Sequence, residues 1–135
     1  MEHEETMWLS FAKTDLGVAN YLNENYHPKP LEIICYHCQQ AAEKAIKALI
    51  VACGAQGGMP KKHNLSFLLM QIKNVIDVPE IYYDYTDTLT PYGVAVRYPN
   101  ELALEERHVK EALQYAQEIV IWADEKITDL SSNLS

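Results

Sequence analysis

Apolar residues recur at helical spacing along most of this chain, and no stretch alternates as a half-buried strand would. Trp8, Phe11, Ala12, Val18, Ala19 and Leu22 trace a stripe that predicts a first helix from about Glu4 to Asn25. Asp15 falls inside that stripe, where an apolar residue is expected, and a carboxylate buried there needs a charged or hydrogen-bonding partner. YHPKP interrupts the pattern, because proline disfavours helix at itself and at the residue before it. A second helix is predicted from about Pro30 to Cys53, followed by the glycine-rich loop GAQGGMPKK. Leu65, Leu68, Leu69, Ile72 and Ile76 predict a third, from His63 to about Ile76. Tyr82, Tyr85, Leu89, Tyr92 and Val96 predict a fourth from Glu80 to Arg97, kinked or split at Pro91. Val109, Leu113, Ala116, Val120, Ala123, Ile127 and Leu130 predict a long last helix from about Glu101 to Leu130. SSNLS, residues 131–135, is expected to be a disordered tail. Residues 1–130 thus read as one all-α domain of about five helices.

Composition narrows the class. A chain of 135 residues suits one domain that folds without staples. Three cysteines do not build a disulfide framework, and a reduced cytoplasmic setting is expected. MEHEETMW is acidic and unlike a signal peptide, and no apolar run is long enough to span a bilayer. The net charge of −8 argues against a strong binder of duplex DNA. The charge is uneven, however: from Lys44 to Ile76 there is no acid, while Lys44, Lys47, Lys61, Lys62 and Lys73 all fall there. That region is either a locally basic surface able to hold a phosphate or a solvated helix face with its loop.

The stretch ICYHCQQAAEKAIKAL, residues 33–48, poses a choice of chemistry. Cys35 and Cys38 have C-x2-C spacing, but no second ligand pair accompanies them, as a zinc site requires. A thioredoxin-like pair sits at a helix N-terminus beside a strand, and neither condition is met. Residues on a helix advance by about 100° each. Both cysteines then share a broad apolar half with Ile34, Ala41, Ala45 and Leu49, so structural cysteines and no metal are expected. The other half carries His37, Gln39, Gln40, Glu43, Lys44 and Lys47. His37, Gln40, Lys44 and Lys47 form a stripe of hydrogen-bond donors, either a ligand or dimer face or a solvated one. Arg97 falls at a predicted helix end, where a cation suits the dipole, and Gly93 one turn earlier leaves open space beside it. It either serves a site or caps the helix and pairs with Asp15 or an acid of the last helix. His63 either anchors the start of the third helix, the expected role, or takes part in catalysis.

The run YHCQQAAEKAIKALIVACG resembles the signature of the HEPN domain, the helical module of prokaryotic proteins that accompany small nucleotidyltransferases. KKHNL after the glycine loop, RYPN before the last helix, and Asp15-Leu16 in the first helix agree in order and spacing. The resemblance implies an up-and-down helical bundle with a four-helix-bundle-like core, and a homodimer. It also implies RNA or a nucleotide as ligand, a nucleotidyltransferase protein as partner in a toxin–antitoxin-type pair, and no cofactor. Ligand contacts are expected at His37, Gln40, Lys44, Lys47 and Asp15. Many members cleave RNA without metal through an Arg-x4–6-His motif, in which a base helps the 2′-hydroxyl attack and arginine stabilises the phosphorane. Here the positions that would offer histidine hold Leu102, Ala103 and Leu104, and His108 is the first histidine after Arg97. Arg97 and His108 are therefore the candidate catalytic pair, at a spacing that favours binding over cleavage. A non-catalytic dimeric scaffold is the remaining alternative.

Overall fold

A computed structural model describes residues 3–54, 61–97 and 101–133. Among these the chain is wholly helical: α1 (Glu4–Asn25), α2 (Leu31–Ala52), α3 (Leu65–Met70), α4 (Ile81–Leu89), a 3-10 turn (Thr90–Val94) and α5 (Glu106–Asn133). α2 lies at the centre and touches every other element. Its alanines Ala41, Ala42, Ala45 and Ala48 are fully buried, and such small side chains let α1 and α5 pack closely against it. Ile34, Ile46, Leu49 and Ile50 fill the space between, joined by Leu65, Leu68, Leu69 and Ile72 from the α3 region and by Ile119 from α5. Cys35 and Cys38 are fully buried in this core. Burial pushes the Cys35 thiol up to about 12, with the charges of Glu32 and Glu111 adding to it, and raises Cys38 as well. No helix among the described residues is long and apolar enough to cross a membrane.

Three boundaries differ from the sequence expectation. α3 ends at Met70, and the chain continues to Ile76 mainly through tighter i→i+3 bonds such as Gln71 to Leu68 and Ile72 to Leu69. Ile72 stays buried in this tighter winding, so the apolar spacing persists beyond the helix proper. The fourth segment splits around Pro91 as the sequence predicts, α4 giving way there to the 3-10 turn. Proline lacks the N–H that an α-helix needs and crowds the preceding turn. α5 starts at Glu106 rather than Glu101, because Ala103 takes a left-handed φ of 49° and breaks helical continuity. At its other end α5 runs through Asn133, into the segment expected to be a tail. Leu134, Ser135 and the stretches 55–60 and 98–100 lie outside the described residues.

Two members of the predicted α1 stripe also face outward. Phe11 and Val18 are exposed, whereas Leu9, Ala12, Asp15 and Ala19 are buried. An aromatic ladder joins α4 to α5: the Tyr85 and Tyr115 rings stack at 4.0 Å and Tyr82 packs on Trp122 at 4.8 Å.

Candidate functional site

The polar half of α2 is not a solvated face. Gln39 and Glu43 are buried, and the whole half is organised around two carboxylates. The first is Asp15 of α1. His37 Nδ1 lies 3.0 Å from Asp15 Oδ1, and Lys44 Nζ donates to Oδ2 at 2.5 Å. The partner that the sequence required for Asp15 is thus supplied twice from α2, and Arg97 takes no part.

The second carboxylate is Glu43 itself. Lys47 Nζ, one turn on, donates to Oε2 at 3.0 Å, and Gln39 Nε2, one turn back, donates to Oε1 at 3.1 Å. His63 Nδ1 reaches Oε1 at 3.2 Å from the segment before α3. The Lys47 ammonium also lies over the Trp8 ring, 5.4 Å from its centroid. Gln40 extends the network by donating to Gln39 Oε1 at 2.7 Å. The N-cap of α3 is Asn64, whose Oδ1 accepts from Phe67 N at 2.9 Å. His63 therefore fastens this segment to α2 rather than capping the helix that follows.

Beside Glu43 opens a cavity of about 550 Å³. Tyr36, Gln39, Gln40 and Glu43 of α2 form one wall, and His63 and Asn64 a second. The third wall is the 3-10 turn and its continuation, including Gly93, Val94 and Arg97. The 3-10 turn presses close to α2. A Cβ on Gly93 would meet the Gln39 carboxamide at 3.1 to 3.2 Å, so the space expected beside Gly93 is occupied by Gln39. Hydroxyls tie the second and third walls together: Leu65 N donates to Thr90 Oγ1 at 3.1 Å, and Ser66 and Thr86 share a hydrogen bond of 2.7 Å.

Of the residues expected from sequence, Gln40 and Arg97 line the cavity. Asp15, His37, Lys44 and Lys47 lie outside its lining, occupied in the two carboxylate clusters. Arg97 carries no ion pair among the described residues. His108 is not a lining residue, and its Nδ1 accepts from Glu105 N at 2.9 Å at the start of α5. Sequence reasoning left out Tyr36, Glu43 and Asn64 as site residues and favoured an anchoring role for His63 over a catalytic one. Glu43 and Lys47 stand at i and i+4 and were legible as a pair. The approach of His63 to Glu43 depends on tertiary packing and has no local signal.

The fold and the motif order together define a family. The HEPN domain family model matches residues 6–126, and the chain belongs to that family. A crystal structure of a protein from Thermus thermophilus is 28% identical, with a TM-score of 0.77 over 93% of this chain and 99% of that one. An archaeal HEPN homologue is 25% identical, with a TM-score of 0.70 over 93% of this chain and 99% of its own. A HEPN domain protein from Thermotoga maritima shares the fold at 22% identity, with a TM-score of 0.66 over 90% and 98% of the two chains. No curated protein matches the chain.

Proposed function

We propose that the protein is a binding module for single-stranded RNA or a nucleotide, working as a homodimer with a nucleotidyltransferase partner in a toxin–antitoxin-type pair. The observation that carries the ligand is the composition of the cavity. Arg97 brings a guanidinium that has no carboxylate partner among the described residues, suited to a phosphate. Tyr36 brings an aromatic face on which an unpaired base can stack, and Gln40 and Asn64 bring groups that read base edges. The volume of about 550 Å³ lies within the usual range of small-molecule sites. In this reading Gln40 and Arg97 touch the ligand, while Asp15, His37, Lys44 and Lys47 hold the walls in place. The partner and the pairing rest on the family resemblance alone.

Fluorescence anisotropy with labelled single-stranded RNA tests the ligand. Arg97→Ala is expected to weaken binding about tenfold, the worth of one charge-assisted phosphate contact. It is also expected to flatten the dependence on salt, while Lys44→Ala stays close to wild type. Unchanged affinity in both Arg97→Ala and Gln40→Ala would remove the cavity as the ligand face. The homodimer is supported by Met7, Phe11, Val18 and Tyr21, which are exposed along one side of α1. Light scattering is expected to give twice the 15.4 kDa chain mass and to fall to one chain mass in Phe11→Asp. A wild-type protein of single-chain mass refutes the dimer.

A further inference from the structure

One stripe of α5 carries a pattern that core packing does not require. Glu111, Tyr115, Glu118, Trp122 and Glu125 stand alternately four and three residues apart, which places them in a single row along the helix. Acid and aromatic side chains alternate in that row. α4 lies against it and adds Tyr82, Asp84 and Tyr85: Tyr85 stacks on Tyr115, and Tyr82 tilts against Tyr85 at 5.7 Å as well as against Trp122. Tyr82, Tyr85 and Tyr115 are half-buried, while Asp84 and Glu125 are exposed. Burial raises the hydroxyls of Tyr82 and Tyr115, and the acids around them add to it, Glu118 and Glu125 at Tyr82 and Glu111, Glu118 and Asp84 at Tyr115. The carboxylates therefore crowd the rings. Acids on other sides of α5 are met by lysines, Asp124 by Lys13 and Glu106 by Lys29. Glu111, Glu118, Glu125 and Asp84 have no lysine or arginine partner among the described residues, and Glu118 has only a long contact from Gln114 at 3.4 Å and the neighbouring Tyr85 hydroxyl. The seam is also short of an acceptor: Trp122 is 6% exposed and its Nε1–H has no partner among the described residues. A buried donor left unpaired is costly, and a backbone carbonyl laid along the seam would satisfy it. Ile81 and Ile121, next in sequence to Tyr82 and Trp122, are each 49% exposed.

We propose that the seam between α4 and α5 is a docking surface for an arginine-bearing segment of another protein. One guanidinium sits between Glu111 and Glu118 at the Tyr85–Tyr115 stack, and a second between Glu118 and Glu125 at Tyr82. A guanidinium suits both kinds of group, since it stacks on aromatic rings and forks onto carboxylates. The net charge of −8 draws such a segment in. The two positions are two turns of helix apart, about 10 Å at 1.5 Å per residue. An extended segment covers that distance in three residues at about 3.3 Å each. Arginines at every third position therefore match the spacing of the acids. No residue of α4 or α5 lines the cavity, so this surface stands independently of the RNA or nucleotide reading.

The test uses the full chain and the fluorescence anisotropy of a labelled Arg-Ala-Ala repeat peptide. Beside it stand a peptide of the same composition with its arginines in one block, and a citrulline repeat that keeps the shape without the charge. Wild type is expected to bind the repeat, to bind the block peptide about threefold more weakly, and to ignore the citrulline repeat. Glu118→Lys, between the two positions, is expected to weaken the repeat about tenfold or more. Glu24→Lys makes the same change of charge at an exposed position of α1 and is expected to stay within about twofold of wild type. Tyr85→Leu keeps apolar bulk but removes the ring, and is expected to cost about threefold in affinity. Circular dichroism checks that each variant is folded. Equal losses in Glu118→Lys and Glu24→Lys reduce the effect to net charge and overturn the proposal. Equal affinity for the repeat and the block peptide overturns it as well, and so does a wild type that binds neither. A Glu118→Lys variant that keeps the peptide but has a lower mass in light scattering makes the seam a contact between copies of this chain, which also refutes it.

Discussion

Two clusters beside α2 use the same three kinds of group, a carboxylate, a lysine and a histidine, and use them in opposite ways. At Asp15 the histidine and the lysine both come from α2 and are similarly covered, 25% and 27% exposed. Every charge in that cluster points inward to one carboxylate, and the result is a clasp between α1 and α2. At Glu43 the lysine is 12% exposed and lies beneath Trp8, while the histidine is 79% exposed and projects from another segment. The same ingredients are closed in one place and open to a cavity in the other. Residue type alone did not separate them; the element that supplies the histidine did. A histidine on the same helix as its lysine is absorbed into the packing, whereas one from a neighbouring segment keeps a free edge.

The comparison predicts an order of stability losses. Glu43→Ala is expected to cost the most, about 3 kcal/mol, because it strands the covered Lys47 ammonium. Asp15→Ala is expected to cost about 1–2 kcal/mol, since water reaches His37 and Lys44 once the carboxylate is gone. Urea unfolding of the two variants checks this, and the reverse order would break the contrast. A finer version concerns the histidines. His37→Ala is expected to cost about 1 kcal/mol and His63→Ala less than about 0.5 kcal/mol, because the ring of His63 contributes little to packing. A larger loss for His63→Ala would make it a structural residue and remove the asymmetry.

How far the sequence reached can be followed along α2. Its limits, its apolar half and the burial of Cys35 and Cys38 follow from helical spacing, because this helix is packed on several sides and the period is uninterrupted. The demand that Asp15 be partnered was likewise legible, since a carboxylate in an apolar stripe admits few solutions. The expected end of the third helix lay too far along because Ile72 is buried by a tighter winding that keeps the apolar spacing. The start of α5 was placed too early because the left-handed backbone at Ala103 has no signature in an alanine. The cavity was the least legible part. Its walls come from three segments far apart in sequence, joined by hydroxyl contacts such as Leu65 to Thr90. The donor stripe on α2 was visible, but which of its members reach a ligand depends on the acids that the other helices bring.

The packing of Trp8 over Lys47 and of Trp122 against Tyr82 has an optical consequence. The chain contains two tryptophans, one at the Glu43 cluster and one at the seam between α4 and α5. Indole emission shifts with the charge and wetting of its surroundings. Light from Trp8 therefore reports on the cluster behind the cavity, and light from Trp122 on a seam outside it, with no label attached to either.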